Sequence, residues 1–170
     1  YAVHSGPEPS RHVFNVEVSN YDLWDTYLPA FKELVTKANV AGVMCAYNAW
    51  KKQPCCGSDE LMVDILRNQW KFTGYVTSDC WATDPDAASA SADAVLHGTD
   101  IDCGTDAYKS LVQAVKEGKI TEKQIDVSLK RLFTIRFRLG MFDPPSIVKY
   151  AQTPASVLES PEHKAHSLKM

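Results

Sequence analysis

The sequence of 170 residues contains no long apolar run and no excess of positive charge. No stretch of about 18 apolar residues occurs, so we predict no transmembrane helix and no membrane partner. The net charge of −3 gives no electrostatic reason to expect nucleic acid or an anionic membrane surface as a partner. The chain is 45% hydrophobic and 23% charged, a composition that allows a globular core of about one domain.

The sequence also lacks a recognisable secretory signal and an initiator methionine. Tyr1 begins in the middle of a pattern, so we expect the chain to be a piece of a longer protein. The absence of a signal then says nothing about the compartment in which the protein works.

The five cysteines lack the spacing that is typical of a structural zinc site. Such sites usually contain C-x-x-C pairs, whereas Cys55 and Cys56 are adjacent. An odd number leaves at least one thiol free if every disulfide is intramolecular. We expect mainly buried thiols, with room for one disulfide, and no metal or cofactor. A metal-binding domain built on the cysteines and histidines remains the competing hypothesis.

Three short apolar segments, each with a polar end, alternate with helical patterns. They lie at residues 41–48, 74–79 and 100–104. This order predicts parallel strands joined by helical crossovers, as in an α/β barrel or an open parallel sheet. Because a closed barrel needs eight strands, we expect an α/β fold that is the C-terminal part of an incomplete (β/α)8 TIM-type barrel.

Capping signals predict where the helices between these segments begin and end. Ser58 should cap one helix, and Thr121 with Gln124 forms the capping-box pattern of the longest one. Gly98 should follow the end of the alanine-rich helix at 87–97. A helix that begins near Tyr21 should break at Pro29.

The two ends of the chain carry weaker signals. Residues 1–20 carry few periodic signals, and residues 4–12, with two prolines and a glycine, are predicted to be a loop. The segment after Pro144 loses its periodicity and should be a linker, with a helix starting at Glu162. We therefore place residues 1–143 in the barrel domain and residues 144–170 in a linker that leads to a following domain.

Asp79 lies at the polar end of the apolar segment Gly74-Tyr75-Val76-Thr77-Ser78-Asp79. The carboxyl ends of parallel strands carry the active sites of barrels and open α/β sheets, so this position favours a catalytic carboxylate. The alternative is a helix-capping aspartate, which is common after a strand. The loop with Glu8 and Arg11 is either a substrate-contacting loop or a solvated one that holds a surface ion pair.

Together these segments resemble the glycoside hydrolases of family 3, specifically the β-xylosidase-like branch. The resemblance extends over nearly the whole chain. Its motifs are Met44-Cys45-Ala46-Tyr47-Asn48, Glu60-Leu61-Met62 with Ile65-Leu66-Arg67, Trp70-Lys71-Phe72-Thr73-Gly74, Val76-Thr77-Ser78-Asp79 and Gly98-Thr99-Asp100-Ile101-Asp102-Cys103-Gly104. Two positions depart from the usual pattern. Lys71 replaces a glycine, and Trp81 stands where a small residue is common, which leaves the sugar preference open.

The resemblance implies a retaining, exo-acting β-glycosidase of the β-xylosidase or β-glucosidase type, acting on plant-wall oligosaccharides. Asp79 would be the nucleophile, ionised among hydrogen-bond donors. The implied substrate-binding residues are Tyr47, Arg11, Glu8, Trp81 and Met44. Tyr47 would donate a hydrogen bond near Asp79, and a buried tyrosine with a satisfied hydroxyl is the alternative. Cys80 and Cys103 follow neighbouring strand ends, so we expect their Cα atoms within about 7 Å of each other.

Several parts that the family uses would lie outside this chain. These are the first barrel strands, a Lys-His pair before Tyr1, and a following α/β sandwich domain that supplies the acid/base carboxylate. The chain alone should then be inactive, and its partners would be the substrate and these missing parts. If the acid/base lies in this chain, Asp84 and Asp86 are the first candidates, although they fit a turn and a helix cap better. The family implies a secreted or periplasmic protein. A non-catalytic carbohydrate-binding fragment or pseudoenzyme is the alternative.

Overall fold

The structure is a computed structural model that describes residues 1–80, 87–104 and 107–170. Two small sheets contain its strands. In the first sheet, β2 (Gly42–Met44) and β5 (Tyr75–Thr77) are parallel, with Val43 opposite Val76. Ile101 continues this sheet through a single parallel bridge to Thr77. All three predicted segments therefore pair in parallel, as the alternation of strands and helices indicated.

The second sheet lies in a part of the sequence where we predicted no strands. β1 (Asn15–Val16) is parallel to β3 (Ala49–Trp50), and β3 is antiparallel to β4 (Gln53–Pro54). The predicted loop at residues 4–12 contains a 3₁₀ turn at Glu8–Ser10, and β1 follows it in a stretch whose sequence carries few periodic signals.

Helices occupy the connections between the strands and most of the C-terminal half. The α-helices are α1 (Asn20–Asp22), α2 (Leu28–Thr36), α3 (Ala87–Leu96), α4 (Leu111–Lys116), α5 (Glu122–Arg138) and α6 (Pro161–Lys169). Two helices have the wider π geometry, at Leu23–Tyr27 and Asp59–Gln69. Further 3₁₀ turns lie at Cys55–Gly57, Ala107–Ser110, Pro145–Ile147, Lys149–Gln152 and Ala155–Val157. Among the described residues, no helix is both long and apolar enough to cross a bilayer.

The predicted caps form in the structure. The Ser58 hydroxyl accepts a hydrogen bond from the Leu61 amide, and the Thr121 amide donates to Oε1 of Gln124 at 2.9 Å. Gly98 follows α3 with a φ of +99°, a left-handed conformation that glycine adopts at little cost. The helical path near Pro29 changes earlier than predicted. The irregular turn is the π segment Leu23–Tyr27, and Pro29 is accommodated in the first turn of α2.

The largest hydrophobic cluster lies around the first sheet and the helices that precede its two strands. Its fully buried side chains include Leu23, Leu28, Trp50, Leu61, Met62, Ile65, Leu66 and Val76. A second cluster is formed by Ala88, Ala92, Val95, Ala114 and Ile120, on and beside α3 and α4. Residues 1–135 and residues 136–170 form two compact units, each defined by the contacts among its own residues.

Candidate active site

The backbone hydrogen bonds of the first sheet bring the ends of its three segments to one edge. The Cys45 amide donates to the Thr77 carbonyl at 3.0 Å, and the Ser78 amide donates to the Ile101 carbonyl at 2.8 Å. The residues that follow β2, β5 and Ile101 are therefore neighbours. This is the edge at which parallel α/β sheets carry their functional groups.

Asp79 lies at this edge, two residues beyond the end of β5. Its side chain is half-buried, and its Oδ1 accepts a hydrogen bond from the Cys80 amide at 2.7 Å. This carboxylate has a fixed backbone donor and is partly exposed, and both properties suit a group that meets a ligand.

Tyr47 reaches the same place from the segment after β2. Its hydroxyl donates to the Cys80 carbonyl at 2.6 Å, directly beside Asp79. Partial desolvation, together with the negative charge of Asp79 and hydrogen bonding to it, raises the pKa of Tyr47 above its ordinary value of 10.0. Tyr47 therefore stays protonated at neutral pH and remains a hydrogen-bond donor at the edge of the site.

The loop at residues 8–12 contributes three side chains around Tyr47. The Arg11 guanidinium lies 4.7 Å from the centre of the Tyr47 ring, and the His12 ring lies 4.1 Å from it. Arg11 also forms an ion pair with Glu8 at 2.8 Å, and the Glu8 side chain is 75% exposed. The surface ion pair that we weighed for Glu8 and Arg11 is thus present. It lies next to Tyr47, and the Arg11 side chain is 35% exposed.

The remaining predicted site residues are less well placed or lie outside the described residues. Met44 ends β2 and is 50% exposed. Trp81, Asp84 and Asp86 lie outside the residues that the structure describes.

The cysteines form more disulfides than the sequence suggested. Cys80 and Cys103 are bonded, with their Cα atoms 4.3 Å apart, which confirms the expected proximity. Cys45 and Cys56 form a second disulfide, which the sequence did not predict. Cys55 is a buried free thiol, and its burial raises the pKa to about 11.

The cysteines therefore offer few metal ligands. Disulfide sulfurs are not the thiolates that zinc requires. Within residues 1–80, 87–104 and 107–170, no cluster of three or more histidine, cysteine, aspartate or glutamate side chains has metal-binding geometry.

The sequence reasoning missed two groups of residues. The first is His12, whose ring lies beside Tyr47, and its position directly after Arg11 was the available signal. The second group is a buried ion cluster in which Asp100 accepts from Arg67 at 2.7 Å and from Arg131 at 2.9 Å. It lies beside β5, because Asp100 also accepts from the Val76 amide at 2.8 Å.

A cleft of about 310 Å³ lies among the helices and does not contain the residues around Asp79. Arg67, Arg131 and Gln124 provide its polar lining, and Val63, Val95 and Val127 are among its apolar residues. This cleft is therefore not the candidate active site, which lies at the ends of the strands.

Comparison with known families identifies the group to which the sequence is related. The family described as the N-terminal domain of glycosyl hydrolase family 3 matches residues 3–135. This is more than three quarters of the chain, and it contains every described residue around Asp79. The chain belongs to glycoside hydrolase family 3.

Curated relatives of this family 3 chain include β-xylosidases from bacteria and plants. The chain is 46% identical to a xylan 1,4-beta-xylosidase of Xylanibacter ruminicola over 171 residues, covering 94% of this chain and 20% of the relative. It is 36% identical to a probable beta-D-xylosidase 7 of Arabidopsis thaliana, covering 94% of the chain and 22% of that protein. The chain thus spans about a fifth of the length of the curated relatives it matches.

Solved structures of family 3 enzymes have the same fold over most of the chain. A family 3 exo-β-xylosidase in complex with a xylobiose aziridine probe matches with a TM-score of 0.83 and 28% identity, covering 89% of this chain and 22% of that one. A β-glucosidase involved in saponin metabolism from intestinal bacteria matches with a TM-score of 0.81 and 28% identity, covering 97% and 23%. The fold is therefore of the TIM-barrel type that this family's N-terminal domain adopts.

Proposed function

We propose that the protein containing this chain is a retaining, exo-acting β-glycosidase of the β-xylosidase or β-glucosidase type, with Asp79 as its nucleophile. The observation that carries the proposal is the position of Asp79, half-buried at the end of β5 and beside the Tyr47 hydroxyl. The identity of 46% to a xylan 1,4-beta-xylosidase supports a substrate among the oligosaccharides of plant cell walls.

The proposed reaction has two steps, in which one carboxylate acts as the nucleophile and a second carboxyl group acts as the acid/base. The Asp79 carboxylate attacks the anomeric carbon, and the bond to the leaving-group oxygen breaks as the acid/base carboxyl protonates that oxygen. In the second step the acid/base removes a proton from water, the water oxygen attacks the anomeric carbon, and the bond to Asp79 breaks. The two carboxyl groups of a retaining enzyme lie about 5–5.5 Å apart.

The groups around Tyr47 supply the proposed sugar contacts. Arg11 presents a planar guanidinium that can donate to two hydroxyls, and Glu8 can accept from a hydroxyl or restrict the space at C5 of the sugar. Trp81 would stack on a sugar face, and Met44 would border the bound sugar from the end of β2. For Arg11 and Glu8 to bind substrate, their mutual ion pair must open or be shared with a hydroxyl.

The proposal requires protein beyond this chain. The chain spans about a fifth of its curated relatives, so there is room in the longer protein for the other barrel strands and for a domain that supplies the acid/base. We propose that residues 1–143 are the C-terminal part of an incomplete barrel and that residues 144–170 lead to an α/β sandwich domain. We also propose that the protein is secreted or periplasmic, where its polymeric substrate would be found.

Covalent trapping in the full-length protein tests this function. A 2-fluoro xyloside and a 2-fluoro glucoside with good leaving groups should each be incubated with the protein, followed by intact-mass and peptide analysis. We expect one glycosyl adduct on the peptide that contains Asp79, and the sugar that traps faster indicates the substrate. Turnover of aryl glycosides with the label on another carboxylate would overturn the assignment of Asp79. Sugar binding with neither label nor turnover would favour a carbohydrate-binding pseudoenzyme.

A further inference from the structure

The residues on either side of Asp79, Ser78 and Cys80, are both bonded to residues 101–103. On the N-terminal side, the Ser78 amide donates to the Ile101 carbonyl at 2.8 Å. The Ser78 hydroxyl donates to Oδ1 of Asp102 at 3.1 Å and accepts from the Cys103 amide at 2.8 Å. Ser78 is fully buried, so its hydroxyl has no water to replace these partners.

The C-terminal neighbour is held at three points. Cys80 is linked to Cys103 by a disulfide, and its carbonyl accepts from the Tyr47 hydroxyl at 2.6 Å. Its amide donates to the Asp79 carboxylate at 2.7 Å. The direction of that carboxylate therefore depends on the position of Cys80, which the disulfide and the Tyr47 hydrogen bond both hold.

Regular sheet pairing alone does not fix Asp79. β5 ends at Thr77, and among the residues that the structure describes one further backbone bond, from the Ser78 amide, continues the ladder. A nucleophile misplaced by about 1 Å loses on the order of a hundredfold in rate, so a residue beyond the strand end needs other constraints. The contacts of Ser78 and Cys80 with residues 101–103 supply them.

We propose that Ser78 and Asp102 are positioning residues for the nucleophile, acting through the backbone of Asp79 rather than by contact with substrate. This inference rests on the proposed function, since it assumes that Asp79 attacks the sugar. In this arrangement, the carboxylate of Asp102 orients the Ser78 hydroxyl, so that the hydroxyl oxygen is free to accept from the Cys103 amide. The disulfide then holds Cys80 against the same segment.

The test measures glycosylation of Asp79 in the full-length protein with four variants. Ser78→Ala removes the hydroxyl, Asp102→Ala removes its acceptor, and Asp102→Asn keeps an oxygen that can accept from Ser78. Ser58→Ala is the matched control, because Ser58 is an equally buried serine that caps the helix Asp59–Gln69. The readouts are kcat and KM for an aryl glycoside, the rate of trapping by the better 2-fluoro sugar, and the melting temperature.

We expect Ser78→Ala and Asp102→Ala to lower kcat and the trapping rate about 10- to 100-fold, the range typical of groups that orient a reacting residue. KM should change less than about threefold, because the sugar contacts are intact, and Asp102→Asn should recover most of the rate. Ser58→Ala should lower the melting temperature without slowing the trapping. Losses of kcat in Ser58→Ala that match those in Ser78→Ala would show a mere stability effect and overturn the inference.

Unchanged trapping in Ser78→Ala would overturn it as well. Failure of the proposed function is a separate result, because the wild-type protein would then show no label on Asp79. The positioning roles of Ser78 and Asp102 would then be overturned together with that function.

Discussion

Replacing Asp100 with alanine should destabilise the barrel segment by about 3 to 5 kcal/mol, the usual cost of leaving a buried charge without its partner. The Asp100 side chain has no exposed surface, and the Arg67 side chain is 9% exposed. Burial lowers the pKa of Arg67, and the Asp100 charge opposes that effect. Without Asp100, the guanidinium would stay buried with only carbonyl partners.

Two further contacts bear on the magnitude. The Val76 amide would lose its acceptor, and an unpaired buried donor costs about 1–3 kcal/mol. Arg131 is 28% exposed, so water can solvate its guanidinium when the ion pair with Asp100 is lost. Arg131→Ala should therefore destabilise the protein by only about 1 kcal/mol. The cost of Asp100→Asn should lie between those of Arg131→Ala and Asp100→Ala, because asparagine keeps an acceptor for the Val76 amide but carries no charge.

Hydrogen exchange in the full-length protein, followed by mass spectrometry, measures this local stability. Peptides that cover β5 should exchange about a hundredfold faster or more in Asp100→Ala than in the wild type. Asp64→Ala is the control, because Asp64 is exposed on the helix that carries Arg67, and its exchange should change only a few-fold. Equal protection of β5 in Asp100→Ala and Asp64→Ala would refute the reasoning that the buried ion cluster supports this strand.

Three other predictions concern single contacts. Gly74→Ala should destabilise the protein by on the order of 3 kcal/mol, seen as a lower melting temperature, because the added Cβ would clash with the Ala41 carbonyl oxygen. Tyr47→Phe should lower kcat about tenfold or more at unchanged stability, as measured with an aryl glycoside, whereas an unchanged kcat would remove Tyr47 from the site. The Cys55 thiol, with its pKa raised to about 11 from 9.0, binds its proton more tightly in the folded state. Stability should therefore fall between about pH 9 and 11 in urea unfolding, and Cys55→Ala should show a smaller fall over that range.

The sequence predicted the first sheet well because its signals are local and repeated. Each strand is a short apolar run with a polar end, and the helices between them carry caps such as Ser58 and Thr121 that lie within a few residues of their partners. Patterns of this kind do not depend on the path of the rest of the chain. They also place Asp79 at a strand end, which is where the structure has it.

The second sheet escaped prediction because its strands are two residues long. No periodicity can be read from two residues, and the β3–β4 turn is made by Lys51 and Lys52 in left-handed conformations, with φ of 51° and 65°. Asparagine or glycine would have signalled such a turn. The disulfide between Cys45 and Cys56 was missed for the same reason, since this hairpin lies between the two cysteines and determines how close they come.

Asp100 and Asp102 show why the roles of the residues around a site are harder to predict than the site itself. They are separated by one residue, and nothing in their local sequence distinguishes them. Asp100 is paired with Arg67, which lies 33 positions away, whereas Asp102 accepts from Ser78, which lies 24 positions away. One carboxylate therefore stabilises the strand and the other constrains the residue before Asp79. The difference arises only from which partners the fold brings to each oxygen, so variants of these two aspartates should separate into a stability effect and a rate effect.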